Sequence, residues 1–388
     1  MPMTARDRVL ATLAHEVPDR VPIVLGPSNA TGIKMGTYRR IKALAGIDGG
    51  PESYLYEWPE LGTAKLDEET YRRLHADVRG VLDHFPAQVR ERNATREPLS
   101  PMIDDWGGGH IYQGPEEWFP GIHPLADAST LEEIEAHPWP DMTDPSRFEG
   151  VRAEAQRLRD DGQYAAIGCP WLAFPLERAM AMQGAEAFLA NLAAEPAFAE
   201  ALLWKTQSLC KTLMDGFLRE CGDLIDMVKI GDDLGSQVGL LMSPAMYRRT
   251  LKPIHADLIA FIRERTKAPI VFHTDGDVYD LLGDFIEIGV DVLNPVQASA
   301  GGMSDFAGLK KRFGDNLVFC GGMDTHHVLP NGTPDEVRAE VRRVIGTLGA
   351  GGGYMLGAVH TVMNDVPAEN ILAMVDAVEA FGRYPLRE

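Results

Sequence analysis

A parallel α/β barrel is the fold class that the sequence predicts, and a pattern repeated through the second half of the chain predicts it. Short apolar runs of strand length end at once in a polar or metal-competent side chain. Residues 269–272 run into His273-Thr274-Asp275-Gly276-Asp277, 225–230 into Gly231-Asp232-Asp233, 291–293 into Asn294, 317–319 into Cys320, and 354–356 into Gly357 and then His360. A helix-like stretch separates each run from the next. In such barrels the loops at the carboxyl ends of the strands hold the active site, so the pattern points to an enzyme.

The elements follow in order. Thr4 is placed to cap a first helix running to about residue 15, and Pro18 with Asp19 ends it before a strand at 21–25. Residues 26–75 are punctuated by Gly and Pro, with helical stretches near 38–45 and 67–74 and a second strand at 77–81. Residues 85–147 are rich in Pro, Gly and Trp and include the run from Asp104 to Tyr112. Long irregular segments inside compact domains are usually lids or binding loops, so this one is expected to be an excursion over the barrel mouth. A strand at 164–168, one long helical region from 176 to about 220, and a helix over 245–265 come next. Gly349 to Gly353, broken by Ala350, precede a strand rather than lie between a strand and a helix. They are assigned to tight packing at a helix end and not to a phosphate cradle. No low-complexity linker splits the 388 residues, so one domain spanning 1–388 is expected.

Composition bounds the partners. With 45% hydrophobic residues the chain can bury a large core, and a net charge of -20 argues against nucleic acid or an anionic membrane as the main partner. Cys169, Cys210, Cys221 and Cys320 show neither CxxC spacing nor a disulfide framework. The amino terminus lacks an apolar signal core, and no run approaches 18 apolar residues, so a soluble cytoplasmic protein is expected.

Among candidate sites, His273-x-Asp275 with His360 is the strongest. Residues i and i+2 of a strand end face the same way, and a barrel gathers its strand ends around one cavity. Two imidazoles and a carboxylate suit zinc or another first-row divalent ion; a hydrogen-bonded turn plus a loop histidine is the alternative. Asp232 and Asp233 could supply a general base or orient a substrate, or one could cap a turn. Cys320 stands where a ligand could stand, or packs as a small hydrophobe. Asn294 and Gln297 could hydrogen-bond a ligand, or form the turn around Pro295. His326 and His327 diverge as neighbours and are expected to face solvent.

Several segments resemble the uroporphyrinogen decarboxylase superfamily. They are Arg6-Asp7-Arg8-Val9-Leu10-Ala11 through Pro18-Asp19-Arg20-Val21-Pro22, the His273-Thr274-Asp275-Gly276 strand end, 291–297, Gly321-Gly322-Met323-Asp324-Thr325, Gly332-Thr333-Pro334-Asp335-Glu336-Val337 and Asp365-Val366-Pro367-Ala368-Glu369-Asn370. The resemblance covers nearly the whole chain and implies a distorted (β/α)8 TIM barrel. Its members include the tetrapyrrole decarboxylase and zinc-dependent, corrinoid-linked methyltransferases. The decarboxylase carries an arginine-rich segment after its first strand, whereas this chain has Gly26-Pro27-Ser28-Asn29-Ala30-Thr31 there. The methyltransferases place zinc on a His-x-Cys pair and a later Cys; the matching positions here are His273, Asp275 and His360. Losing both thiolates leaves a metal more Lewis acidic, which suits polarising a substrate oxygen.

The expectation is therefore a corrinoid-dependent methyltransferase that takes a methyl group from a small methoxy compound, aromatic ones included, to a cobalamin on a partner corrinoid protein. Trp106, His110 and Tyr112 would line the mouth, with Arg79, Asn294 and Gln297 also toward the substrate. A metal-independent decarboxylase of a small carboxylate is the alternative; it needs a cationic clamp, for which Arg79 and Arg178 are the candidates. A barrel that binds a small ligand or a corrinoid protein without turnover is a third class, disfavoured by so many polar strand ends. A homodimer stays open.

Overall fold

Seven parallel strands lie side by side in chain order in the computed structural model of the protein, which describes residues 3–48, 52–114, 117–171 and 173–386. They are Val78–Val81, Ala165–Gly168, Met227–Gly231, Ile270–His273, Val292–Val296, Val318–Met323 and Tyr354–Ala358. The sheet curls, and the extended segment around Ile23 joins its first strand to its last. Leu356 N donates to Pro22 O at 2.8 Å and Val24 N to Leu356 O at 2.8 Å, while on the other side Asp77 N donates to Ile23 O at 2.9 Å. The result is a TIM-barrel-like ring. The strand expected at 21–25 thus contributes one parallel bridge, Ile23 to Leu356, and backbone bonds to both neighbours.

Side-chain alternation explains why these strands read as continuous apolar runs. Val78, Ile167, Met227, Val271, Val292, Val318 and Met355 point inward and pack as the barrel interior. Val81, Ile230, Phe272, Leu293, Phe319 and Leu356 point outward into the larger core beneath the helices. Both faces are buried, so no polar alternation appears. At the amino end, Asp77 ties the closing segment down: its carboxylate accepts from Arg8 Nη1 at 2.6 Å, Arg20 Nη1 at 2.8 Å and Ile23 N at 2.7 Å. The opening motif around Arg8 and Arg20 is therefore barrel closure.

The first helix, Ala5–Leu13, starts on the expected Thr4 cap, which is part of a capping box, with Thr4 and Asp7 bonded reciprocally. The long helical region is three helices, Pro175–Gln183, Ala185–Ala194 and Pro196–Cys221. Gly184, at φ 91°, and Pro196 supply the breaks. Likewise the helix expected over 245–265 is interrupted at Leu251, ahead of Pro253. The described residues of 85–147 hold two short helices, Ala87–Ala94 and Leu131–Ala136, and a three-stranded antiparallel sheet of Met102–Ile103, Gly109–Gly114 and Glu117–Ile122. All four cysteines are free and buried. Among the described residues, no helix is long and apolar enough to cross a membrane.

Candidate metal centre and cavity

The ligand atoms of His273, Asp275 and His360 all lie within 4.8 Å of one another at the carboxyl end of the barrel. His273 closes its strand on the inward face; Asp275 follows two residues later, and His360 follows the last strand. Asp275 Oδ2 stands 3.9 Å from His273 Nε2 and 3.7 Å from His360 Nε2. Bonds of 2.0–2.1 Å to a tetrahedral ion place donors about 3.4 Å apart, so small side-chain shifts would close this set on a cation.

Neighbouring groups prepare each donor. His273 Nδ1 lies 2.9 Å from Asn294 Oδ1, an acceptor, so Nδ1 carries the proton and the Nε2 lone pair is free. Asn294 Nδ2 points on to Cys320 Sγ at 3.5 Å. Burial drives His273 well below the ordinary histidine range and brings His360 down to about 4, so both rings are neutral near pH 7. Asp275 N donates to Asp233 Oδ1 at 2.8 Å, which fixes the ligand-bearing turn. Burial, then the Asp233 charge, push the Asp275 carboxyl up to about 8. Its Oδ1 is buried with no hydrogen-bond partner among the described residues. Two neutral imidazoles beside a carboxyl group with an idle oxygen, whose ionised form has only the Lys229 charge to support it, fit a divalent ion.

Gly276 completes the turn in the left-handed region, φ +88°, with Gln297 Oε1 accepting its N–H at 2.6 Å. A Cβ there would come within 2.2 Å of the Gly235 carbonyl carbon. Gln297 is occupied by that bond and by one to Gln237, so it supports the turn rather than facing a ligand.

Beside the donors is a cavity of about 110 Å³ lined by His273, His360, Asp233, Lys229, Glu177 and Arg178, with Tyr56, Trp171 and Phe174 among its walls. A larger hollow, about 780 Å³, lies among outer helices near Trp204 and Lys211 and contains none of the donors. Lys229 is an inward residue of its strand, 8% exposed, with its Nζ 5.1 Å from the Phe174 ring centre. Burial lowers its pKa, against the pull of nearby acidic groups. Burial first, then Asp233 and Asp232, push the Glu177 carboxyl up to about 8.

Other expected residues lie elsewhere. Asp232, wholly buried, accepts from Leu176 N and Glu177 N at 2.9 Å each and faces His255 Nε2 at 2.9 Å. It caps the helix that carries Glu177 and Arg178, and both its oxygens are engaged. Cys320 sits in the barrel interior below Asn294, outside the donor trio, and burial pushes its thiol up to about 12. Arg79 projects outward, not into the cavity. Its guanidinium carbon lies 3.6 Å from the Tyr164 ring centre and 4.1 Å from that of Tyr71, and its Nη2 pairs with Glu68 at 3.0 Å.

No described residue of 85–147 lines the cavity. Trp106 is packed against Trp139, ring centres 5.9 Å apart; Tyr112 lies on Trp118 at 5.5 Å; His110 meets the edge of Trp58 at 5.0 Å, one layer behind Trp171. His326 and His327 are exposed, as expected. Lys229 and Glu177 are the residues the sequence reading passed over. Inward parity with His273 was the available signal for Lys229, and a position just inside a proline-started helix was the signal for Glu177.

The profile of the uroporphyrinogen decarboxylase (URO-D) family matches residues 118–381. The uroporphyrinogen decarboxylase of Psychromonas ingrahamii is 38% identical over 74 residues, 19% of this chain and 20% of that protein. That of Methylococcus capsulatus is 28% identical over 117 residues, 30% of this chain and 31% of that protein. The chain thus spans about a third or less of these two curated relatives. A methyltransferase from Methanosarcina mazei has a similar fold, with a TM-score of 0.66 and 19% identity over 98% of this chain and 99% of that one.

Proposed function

The chain belongs to the uroporphyrinogen decarboxylase family, and from that premise we propose that this enzyme is a methyltransferase of the O-demethylase kind. It would move a methyl group from a small methoxy compound to a cobalamin carried by a partner protein. The observation that carries this reading is the trio of His273, Asp275 and His360, within 4.8 Å at the strand ends, with an idle buried carboxylate oxygen. Those three residues would hold zinc or another first-row divalent ion, which supplies Lewis acidity toward the ether oxygen.

The protein's own groups do the rest. Asn294 keeps the His273 lone pair toward the cavity, and Asp233 with Gln297 holds the turn of Asp275 and Gly276. Tyr56 and Trp171, ring centres 4.7 Å apart, form an aromatic wall of the cavity. As the methyl–oxygen bond breaks, its electron pair stays on oxygen. Glu177 retains a proton near pH 7 and is the acid available to that oxygen.

A small-carboxylate decarboxylase is the second reading, favoured by Arg178 in the cavity wall. The space beside the trio, about 110 Å³, is far smaller than a tetrapyrrole. Metal analysis of the purified protein separates the two readings. Stoichiometric zinc or iron, abolished by His273→Ala, Asp275→Ala or His360→Ala with the fold retained, supports methyl transfer. Failure of the wild type to bind any divalent ion turns the assignment to decarboxylation.

A further inference from the structure

Two cationic side chains face the same small cavity as the metal-competent trio; among the described residues Arg178 has no carboxylate closer than 3.8 Å, and Lys229 feels the charge of Glu177, Asp233 and Asp275 without forming an ion pair with any of them. Arg178 projects from the helix Pro175–Gln183, and its nearest ion-pair partner, Asp104, stands 3.8 Å away. Its Nε is buried with no hydrogen-bond partner among the described residues. Lys229 comes from the inward face of the strand Met227–Gly231, with the Phe174 ring beside its ammonium group. Buried charge is costly unless it is paired, so two such groups on one wall indicate that a counter-charge arrives with the ligand.

The acidic residues nearby do not fill that role. Asp275 belongs to the donor trio, and Asp233, which accepts from the main chain of Asp275 and acts on Lys229 through its charge, forms no ion pair with either cation. Asp232 points away into the helix end. Glu177 lines the cavity too, but burial and its acidic neighbours keep it protonated near neutrality, so it does not cancel the cations.

We infer that Arg178 and Lys229 form an anion seat beside His273, Asp275 and His360, so that the substrate is a small carboxylate bearing its methoxy group close to the carboxylate. Guanidinium groups match carboxylates with two parallel N–H donors, and an ammonium adds a point charge. Size narrows the class. A cavity of about 150 Å³ holds benzene, with about six heavy atoms; the space here is about 110 Å³. A compact methoxy acid of about that size fits within this space, whereas a methoxylated aromatic acid would extend beyond it.

This inference rests on the methyl-transfer reading for its methoxy group, but not for its anion. The test is ligand-observed NMR titration of the zinc-supplemented full-length chain with methoxyacetate and with its neutral isostere, methoxyacetamide. The acid should bind about tenfold or more tighter. Arg178→Gln and Lys229→Met should each weaken acid binding by about ten- to a hundredfold, the cost of a hydrogen bond to a charged group, and leave amide binding within about twofold. Arg178→Lys keeps the charge and should retain part of the preference, and thermal melts verify that each variant is folded. Equal binding of acid and amide, or acid binding unmoved in folded Arg178→Gln and Lys229→Met, overturns the anion seat. Methyl transfer to cob(I)alamin is read separately. Methoxyacetate that binds through Arg178 but gives no methyl group upholds the seat and sinks the methyl-transfer reading. Demethylation of a neutral ether in preference to the acid does the reverse.

Discussion

His273 can serve as a ligand only with its Nε2 lone pair toward the cavity, and the 2.9 Å contact to Asn294 Oδ1 selects that tautomer. Asn294→Ala should therefore lower zinc affinity about ten- to a hundredfold, the usual cost of losing such a partner, with little change in melting temperature. Competition against a chromophoric chelator measures it, and unchanged affinity would remove Asn294 from the site. The same scale shows what was legible in the chain. His273, Asp275 and His360 follow apolar runs at strand ends, so parity and barrel closure sufficed to group them. Arg79 turns outward, onto Tyr71 and Tyr164, because it alternates with the inward Val78 in its strand. Lys229 was hidden because a single lysine in an apolar run looks like a side chain that snorkels outward.

The turn after Gly231 divides two adjacent carboxylates between two elements. Asp232 takes the amino end of the helix Pro175–Gln183, and Asp233 takes the loop of Asp275. Sequence could name the pair but not apportion it, because the partners of Asp232 come from residues 176, 177 and 255. Removing a buried charged partner costs about 3–5 kcal/mol, so Asp232→Ala should lose stability of that order in urea unfolding. A loss under about 1 kcal/mol would contradict the capping role. Gly276→Ala tests the facing loop. A left-handed residue costs roughly 1–3 kcal/mol, and the 2.2 Å approach to Gly235 adds a clash, so the variant should lose both stability and bound zinc. The helix breaks at Gly184 and Pro196 follow from local chemistry that was present in the sequence. The excursion was not readable, because its tryptophans and histidine find partners within the excursion or in the layer behind the cavity wall.

Across the whole molecule, barrel closure gathers several carboxyls with raised pKa at one end. Without metal, Asp275 and Glu177 keep protons up to about pH 8 that the unfolded chain releases near 4. Their contribution to stability is fully present at low pH and is lost as pH rises through 8. Zinc must displace the Asp275 proton, so below pH 8 its binding releases a proton and weakens with acidity. The zinc-induced rise in melting temperature should grow from pH 6 to 8 and then level off. A rise that is equal or larger at pH 6 would contradict the assignment of Asp275 as a ligand. The barrel itself was legible because βα repetition leaves a long-range pattern. Its eighth position reads as a strand at 21–25, and it closes the ring through backbone bonds to Leu356 and bonds to Asp77. The most direct test of the functional account is spectral. The zinc-loaded enzyme is mixed with cob(I)alamin and paired methoxy and methylthio acids, and formation of methylcobalamin is followed. The account predicts methyl transfer from the methoxy acid in preference to its sulfur analogue, abolished in His360→Ala. Preference for the thioether, or release of carbon dioxide with no methylcobalamin from any methoxy compound, would contradict it.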